Sequence, residues 1–227
     1  MPLERLNAIN RLTVVARLLS SAVHDTRNAL QIITGHAELF AETSHDVDRS
    51  RERSRSILTQ AERATQRMQG LVMLGQETEP APVRFEVRAL AEEVYGLRRS
   101  SFGRARIKVT VAPTDGEFWI RAPRPDVLRA VANLMLNAER AVAGRPNSEI
   151  RFEVTANAGR VRLTVNDNGP GIPAERLATL FEPFGEGTGP GIGLAVSRWL
   201  VERAGGTLTL ASNDAGAAFA IEFPADR

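Results

Sequence analysis

Asn133-Leu134-Met135-Leu136-Asn137-Ala138-Glu139-Arg140 is the stretch on which the fold turns. Asn133, Asn137 and Arg140 recur at intervals of four and three, so a helix puts them on one side. Leu134, Met135 and Leu136 then turn largely toward a core. Two amides and a guanidinium on one face can hold a metal ion and phosphate oxygens; an ordinary solvated helix surface has the same spacing. Downstream, Asp167-Asn168-Gly169-Pro170-Gly171-Ile172 follows directly on an alternating strand of Val161, Leu163 and Val165. Glycines there let the backbone approach a ligand, and Asp167 offers an acceptor for an exocyclic amine, although an Asn-Gly turn reads the same way. Farther on, Gly185 to Gly193 carries Gly187, Gly189, Gly191 and Gly193 and leads into a helix near Ile192 to Ala204. Amides at a helix start suit a phosphate. This loop is neither a Gly-x-x-x-x-Gly-Lys loop nor a dinucleotide fingerprint.

Around these clusters the pattern is that of an α/β domain. Val87, Leu90, Ala91, Val94 and Leu97 mark an amphipathic helix, and a second runs from about Asp126 to Ala143. Alternation at Ile107/Val109/Val111, Ile150/Phe152/Val154 and Phe219/Ile221/Phe223 marks further half-buried strands, with a hairpin turn at Asn157-Ala158-Gly159. Strands with interspersed helices predict a two-layer α/β sandwich with one mixed sheet, spanning residues 83–227. Gln76 to Pro82 reads as a linker. Before it, residues 1–76 are helical almost throughout. Leu12, Val15, Leu19, Ala22, Thr26, Ala29, Ile33, His36 and Phe40 step by three and four, and Ile57, Ala61, Ala64, Met68 and Leu71 repeat the pattern after a polar break. Such helices need a partner to bury both faces. The expected assembly is an antiparallel hairpin that forms a four-helix bundle in a homodimer; a hairpin resting on its own chain is the alternative. The whole chain is therefore expected to be α+β.

The 227 residues suffice for a sizeable core, and 43% hydrophobic with 25% charged residues rules out wholesale disorder. Without cysteine there is no disulfide, thiol nucleophile or cysteine zinc site. Of 29 basic residues only Lys108 is a lysine, but 27 acidic residues are interspersed and the net charge is +2. No basic arm for nucleic acid stands out. No signal pattern or apolar run of membrane length is present, so a cytoplasmic protein without membrane contact is expected.

Taken in this order and spacing, the three clusters resemble the nucleotide-binding boxes of sensor histidine kinases, within the ATPase superfamily that includes DNA gyrase. Asn133 to Arg140 is similar to the asparagine box, and Asp167 to Ile172 to the first glycine box. Phe181-Glu182-Pro183-Phe184 resembles the phenylalanine box and Gly189 to Leu194 the second glycine box. The resemblance implies ATP and Mg²⁺ as cofactors. Asn137 would ligate the metal, Asn133 and Arg140 would approach the phosphates, and Asp167 would bond the adenine amino group. Gly169, Gly171, Ile172, Gly187, Thr188, Gly189, Gly191, Gly193 and Leu194 would line the nucleotide. His24-Asp25-Thr26-Arg27-Asn28 resembles the phosphoacceptor box. Position counting agrees: with Leu12, Leu19 and Thr26 at a, His24 falls at the outer f position and Asn28 lies one turn on. Asp25 is placed to orient the imidazole or take its proton, and Asn28 by resemblance serves removal of phosphate from a partner.

Three departures from the family pattern stand out. Ala29 replaces a common proline, Pro190 a common threonine, and only Gly185-Glu186-Gly187-Thr188 separates Phe184 from Gly189. An amide at Asn133, where ATP-hydrolysing relatives carry a glutamate, favours transfer to a side chain over hydrolysis. The reading is an ATP-dependent histidine kinase that phosphorylates His24 and passes the group to a response-regulator receiver domain, with phosphatase activity toward that regulator as an addition. A phosphotransfer or scaffold protein with a degenerate nucleotide domain is the alternative, and a gyrase-like ATPase or serine kinase a third. These residues include no sensor, transmembrane or receiver segment, so the input comes from a separate sensor protein or from the rest of a longer chain.

Overall fold

The computed structural model describes residues 2–42, 47–75, 80–183 and 192–226. Two long helices open the chain, α1 (Leu3–Glu42) and α2 (Val47–Gly75). They run antiparallel: His36 meets Ser56 at 2.8 Å, Arg53 donates to the Leu39 carbonyl, and Gly75 lies against Val15. α1 is continuous through Ala29, as expected where the proline is missing.

The remainder alternates β1 (Val83–Glu86), α3 (Val87–Gly96), α4 (Arg99–Ala105), β2 (Lys108–Val111), β3 (Trp119–Ala122), α5 (Arg124–Val142), β4 (Glu149–Asn157) and β5 (Arg160–Asp167). A short α6 (Ala174–Leu177) follows, then α7 (Gly193–Arg203), β6 (Thr207–Ser212) and β7 (Ala218–Pro224). Five strands form one sheet in the order β2-β4-β5-β7-β6, with β2 and β4 parallel and the other neighbours antiparallel. The mixed sheet is as the sequence predicts. β1 and β3 pair separately as a two-stranded antiparallel ribbon. β4 and β5 join through Ala158 and Gly159, both with positive φ, the two-residue turn that matches strand twist. Ile150, Phe152 and Val154 on β4 and Val161, Leu163 and Val165 on β5 are buried in the same core as Val131, Leu134 and Met135 of α5. That packing fixes the roll of α5 and therefore where its polar side points.

The helical hairpin departs from the expected seam. Ala22 and Ala29 are buried, but Leu12 is 67% and Leu19 48% exposed. The buried line on α1 is instead Leu6, Asn10, Val14, Leu18, Ala22, Asp25 and Ala29. It is set by two neighbours at once, because α1 packs on α2 and also on α5 and α7. Leu6 closes a small cluster with Ile192, Val196 and Leu200.

Candidate functional site

The described residues of the three clusters lie on the C-terminal half of α5, at and just after the end of β5, and at the start of α7. Asp167 is the last residue of β5 and is 5% exposed. Its Oδ1 accepts from the Gly169 N–H at 2.9 Å and, more distantly, from that of Ala217 at 3.4 Å. Burial pushes the carboxyl pKa upward, against the opposing pull of those two amides. The glycines around it are steric necessities. A Cβ at Gly169 would stand 2.7 Å from Asp167 Oδ1 and 2.9 Å from the Ala141 Cβ. At Gly216, with φ of +109°, it would fall 1.8 Å from the Asp167 carbonyl oxygen. Gly171 has φ of +73°, and the next residue is pinned: Ile172 N–H donates to Asn213 Oδ1 at 2.6 Å, while Asn213 Nδ2 donates to the Ile172 carbonyl at 2.7 Å. Asn213 had no signal in the sequence, since it lies 41 residues away in the β6–β7 connection.

On α5, Asn137 is half-buried and its Oδ1 accepts from Arg140 Nη2. Burial, followed by the Arg17 guanidinium of α1, lowers the Arg140 pKa. Asn133 is buried. Its Nδ2 donates both to Asn10 Oδ1 at 3.0 Å and to Ser197 Oγ at 3.1 Å, and its Oδ1 accepts from Asn10 Nδ2 at 3.2 Å. Gly193, the first residue of α7, sits beside Asn133; a Cβ there would meet Asn133 Oδ1 at 3.7 Å, an ordinary contact. Leu194 packs on the main core. Gly187, Thr188, Gly189 and Gly191, with Phe184 and Pro190, lie outside the described residues. Among the described residues no group of three acidic, histidine or cysteine side chains could hold a metal by itself. The single amide oxygen of Asn137 nevertheless suits Mg²⁺, which keeps several waters and takes its remaining ligands from substrate phosphates.

The sequence-predicted histidine is exposed, with 48% of its side chain accessible, whereas Asp25 beside it is 3% accessible. His24 Nδ1 has three polar neighbours: Asp25 Oδ1 at 3.4 Å, Asn28 Nδ2 at 3.3 Å and Arg104 Nη1 of α4 at 3.4 Å. They select opposite tautomers. A proton on Nδ1 that points at Asp25 leaves the lone pair on Nε2, while donation from Asn28 or Arg104 needs that lone pair on Nδ1. His36 faces α2, as its seam position predicts, and His45 is outside the described residues. No described helix is long and apolar enough to cross a membrane.

These features define a two-layer α/β domain with a buried carboxylate and a polar helix face beside its glycines, packed against a helical hairpin that carries an exposed histidine. Residues 123–227 match the family described as histidine kinase-, DNA gyrase B- and HSP90-like ATPase. The chain is 28% identical over 94% of its length to a sensory histidine kinase/phosphatase, NtrB, of Rhizobium leguminosarum bv. phaseoli, of which it spans 59%. The catalytic domain of histidine kinase ThkA superposes with a TM-score of 0.58 at 26% identity, covering 63% of this chain and 97% of that domain. The structure of ThkA in complex with the response regulator TrrA shares the fold over 96% of this chain and 64% of the ThkA chain, with a TM-score of 0.57 at 23% identity. The chain is thus similar to the sensor histidine kinases over most of its length, and residues 123–227 carry the match to the ATPase family.

Proposed function

We propose that this chain is an ATP-dependent protein histidine kinase working as a homodimer in the cytoplasm, phosphorylating His24 and passing the phosphoryl group to an aspartate of a response-regulator receiver domain. The observation that carries the reading is one chain holding both halves of a phosphoryl transfer. Arg140 bonds Asn137 on α5, Asp167 closes β5 at Gly169 beside Ala141 of the same helix, and the exposed His24 has Asp25 and Asn28 beside its Nδ1. In such a transfer the protein positions groups and neutralises charge, which suits a guanidinium, amides and Mg²⁺ held by Asn137 and the phosphates. Asp167 would receive the adenine amino group. Residues 1–76 act as the dimerisation and phosphoacceptor unit and 83–227 as the ATP-binding unit.

Dimerisation is supported by the surface the hairpin leaves open. Ile9, Leu12, Ala16, Leu19, Val23, Thr26 and Leu30 step by three and four along α1, and all but the half-buried Thr26 are exposed. Leu58, Met68 and Val72 continue an exposed apolar line on α2. A second hairpin would cover both stripes and complete a four-helix bundle. Asn28, within reach of His24, and the kinase/phosphatase relative support removal of phosphate from the regulator as a further activity of the same site. Incubation with γ-labelled ATP tests the reading. Acid-labile label on the wild type and none on His24→Ala is expected, and acid-stable label or free phosphate without protein label would refute it.

A further inference from the structure

Asn133, the amide that the kinase reading aims at phosphate, is already occupied by the chain itself. Both of its donor hydrogens are used, one on Asn10 and one on Ser197, and Asn10 and Asn133 are 2% and 5% exposed. Four residues earlier on α1, Leu6 is fully buried against Ile192, Val196 and Leu200, which run from just before Gly193 along α7. Arg98 ties the same surfaces together, donating to the Arg17 carbonyl at 3.0 Å and to Glu139 of α5 at 2.6 Å. The first turns of α1 therefore lie on the polar side of α5.

His24 belongs to the same helix, fourteen residues beyond Asn10, which places it about 21 Å farther along the axis. In this arrangement a phosphate at Asn133 and the histidine of the same chain are far beyond reacting distance. At the other end, Arg104 of the nucleotide domain donates toward His24 Nδ1 and favours the tautomer whose proton sits on Nε2. That tautomer has no lone pair on the exposed nitrogen.

We infer that the docked position seen here is a latch, in which Leu6 and Asn10 compete with nucleotide for the Asn133 face while Arg104 holds His24 unready. The inference rests on the kinase reading, because it is the ATP site that is covered. Some contacts oppose the docking. Burial lowers the Arg129 pKa, Asp126 opposes that and Arg11 of α1 adds to it; Arg17 likewise adds to the lowering of Arg140 against Glu139, and Asn7 Oδ1 is buried without a hydrogen-bond partner. Like charges and an unpaired acceptor work against the docked state.

A titration of the whole chain with Mg²⁺ and a non-hydrolysable ATP analogue tests it. Leu6→Glu and Asn10→Ala should each bind the analogue several-fold more tightly than wild type, and the exposed control Leu3→Glu should not. The absence of native cysteine permits a second measurement. Leu6→Cys/Val196→Cys, oxidised to a cross-link, should lose analogue binding and regain it on reduction; this arm is independent of whether Leu6→Glu folds. Wild-type affinity in both tightening variants, or unchanged binding in the cross-linked protein, would overturn the latch while leaving the kinase reading intact. Failure of every form, reduced and unlatched variants included, to bind the analogue would overturn the kinase reading and the latch with it.

Discussion

Replacing Asp167 by Asn changes one atom's chemistry and leaves the shape of the site alone. The amide keeps an oxygen to accept from Gly169 and Ala217, so the turn that Gly169 and Gly216 make around residue 167 persists. What is lost is the anionic acceptor, and the second oxygen becomes an NH₂ that would face the adenine amino group donor to donor. A hydrogen bond to a charged acceptor contributes about 1.5–3 kcal/mol, so affinity for MgATP should fall roughly 10- to 150-fold. Stability should move the other way. The Asp167 carboxyl pKa is raised by burial, more than the two amides lower it, so the ionised form is disfavoured in the folded state. Wild-type stability then increases as pH falls from neutral through that raised pKa, and the increase is complete once the ordinary carboxylate value is passed. Asp167→Asn has no such dependence. Its melting temperature should match or exceed that of wild type at neutral pH, with the difference shrinking on acidification. Calorimetric titration gives the affinity, and thermal melts between pH 4 and 8 give the stability. Unchanged affinity for the nucleotide, or a deficit in stability that is largest at neutral pH, would refute the placement of Asp167.

Two further substitutions probe the parts that hold this site and the chain's assembly. Gly216→Ala puts a Cβ 1.8 Å from the Asp167 carbonyl oxygen at φ of +109°, so backbone must move; a loss of several kcal/mol by chemical denaturation is expected, with nucleotide binding lost in parallel. Leu12→Glu/Leu19→Glu places charges in the exposed α1 stripe, where burying each leucine would contribute about 1.5–3 kcal/mol per copy; sedimentation should show a monomer with helix content retained.

How far the sequence carries the site depends on whether the needed signal is local. Asn133, Asn137 and Arg140 share one side of α5 because four and three residues complete a turn, and Asp167 follows a strand whose alternation is plain. Those placements hold in the structure. The pairings between distant segments were not legible. β1 and β3 have four residues each and meet across more than thirty residues of chain, too short for alternation to register. α4 buries only Phe102 and shows no period, yet it delivers Arg104 to His24. β6 does alternate, Thr207-Leu208-Thr209-Leu210, and so lay within reach of the same test that finds β4 and β5. Asn213 and Asn10 could not be found, because a polar residue that pairs with one distant amide or carbonyl leaves no periodic trace.

α1 is the instructive failure, and its reason is geometric. A heptad count supplies the phase of an apolar stripe but never says what lies against it. Here one helix serves three neighbours: α2 along Ala22 and Ala29, the nucleotide domain along Leu6, Asn10 and Val14, and solvent along Leu12, Leu19 and Leu30. The expected seam mixes positions from the first and third of these faces, which is why Ala22 is buried while Leu12 and Leu19, ten and three residues before it, are exposed. Because one rigid rod presents all three, the faces cannot move independently. A turn of α1 that seats the Leu12–Leu30 stripe more deeply against a partner must also rotate Asn10 relative to Asn133 and His24 relative to Arg104. Input that reaches the hairpin as a rotation would therefore act on the nucleotide face and on the histidine tautomer in the same step.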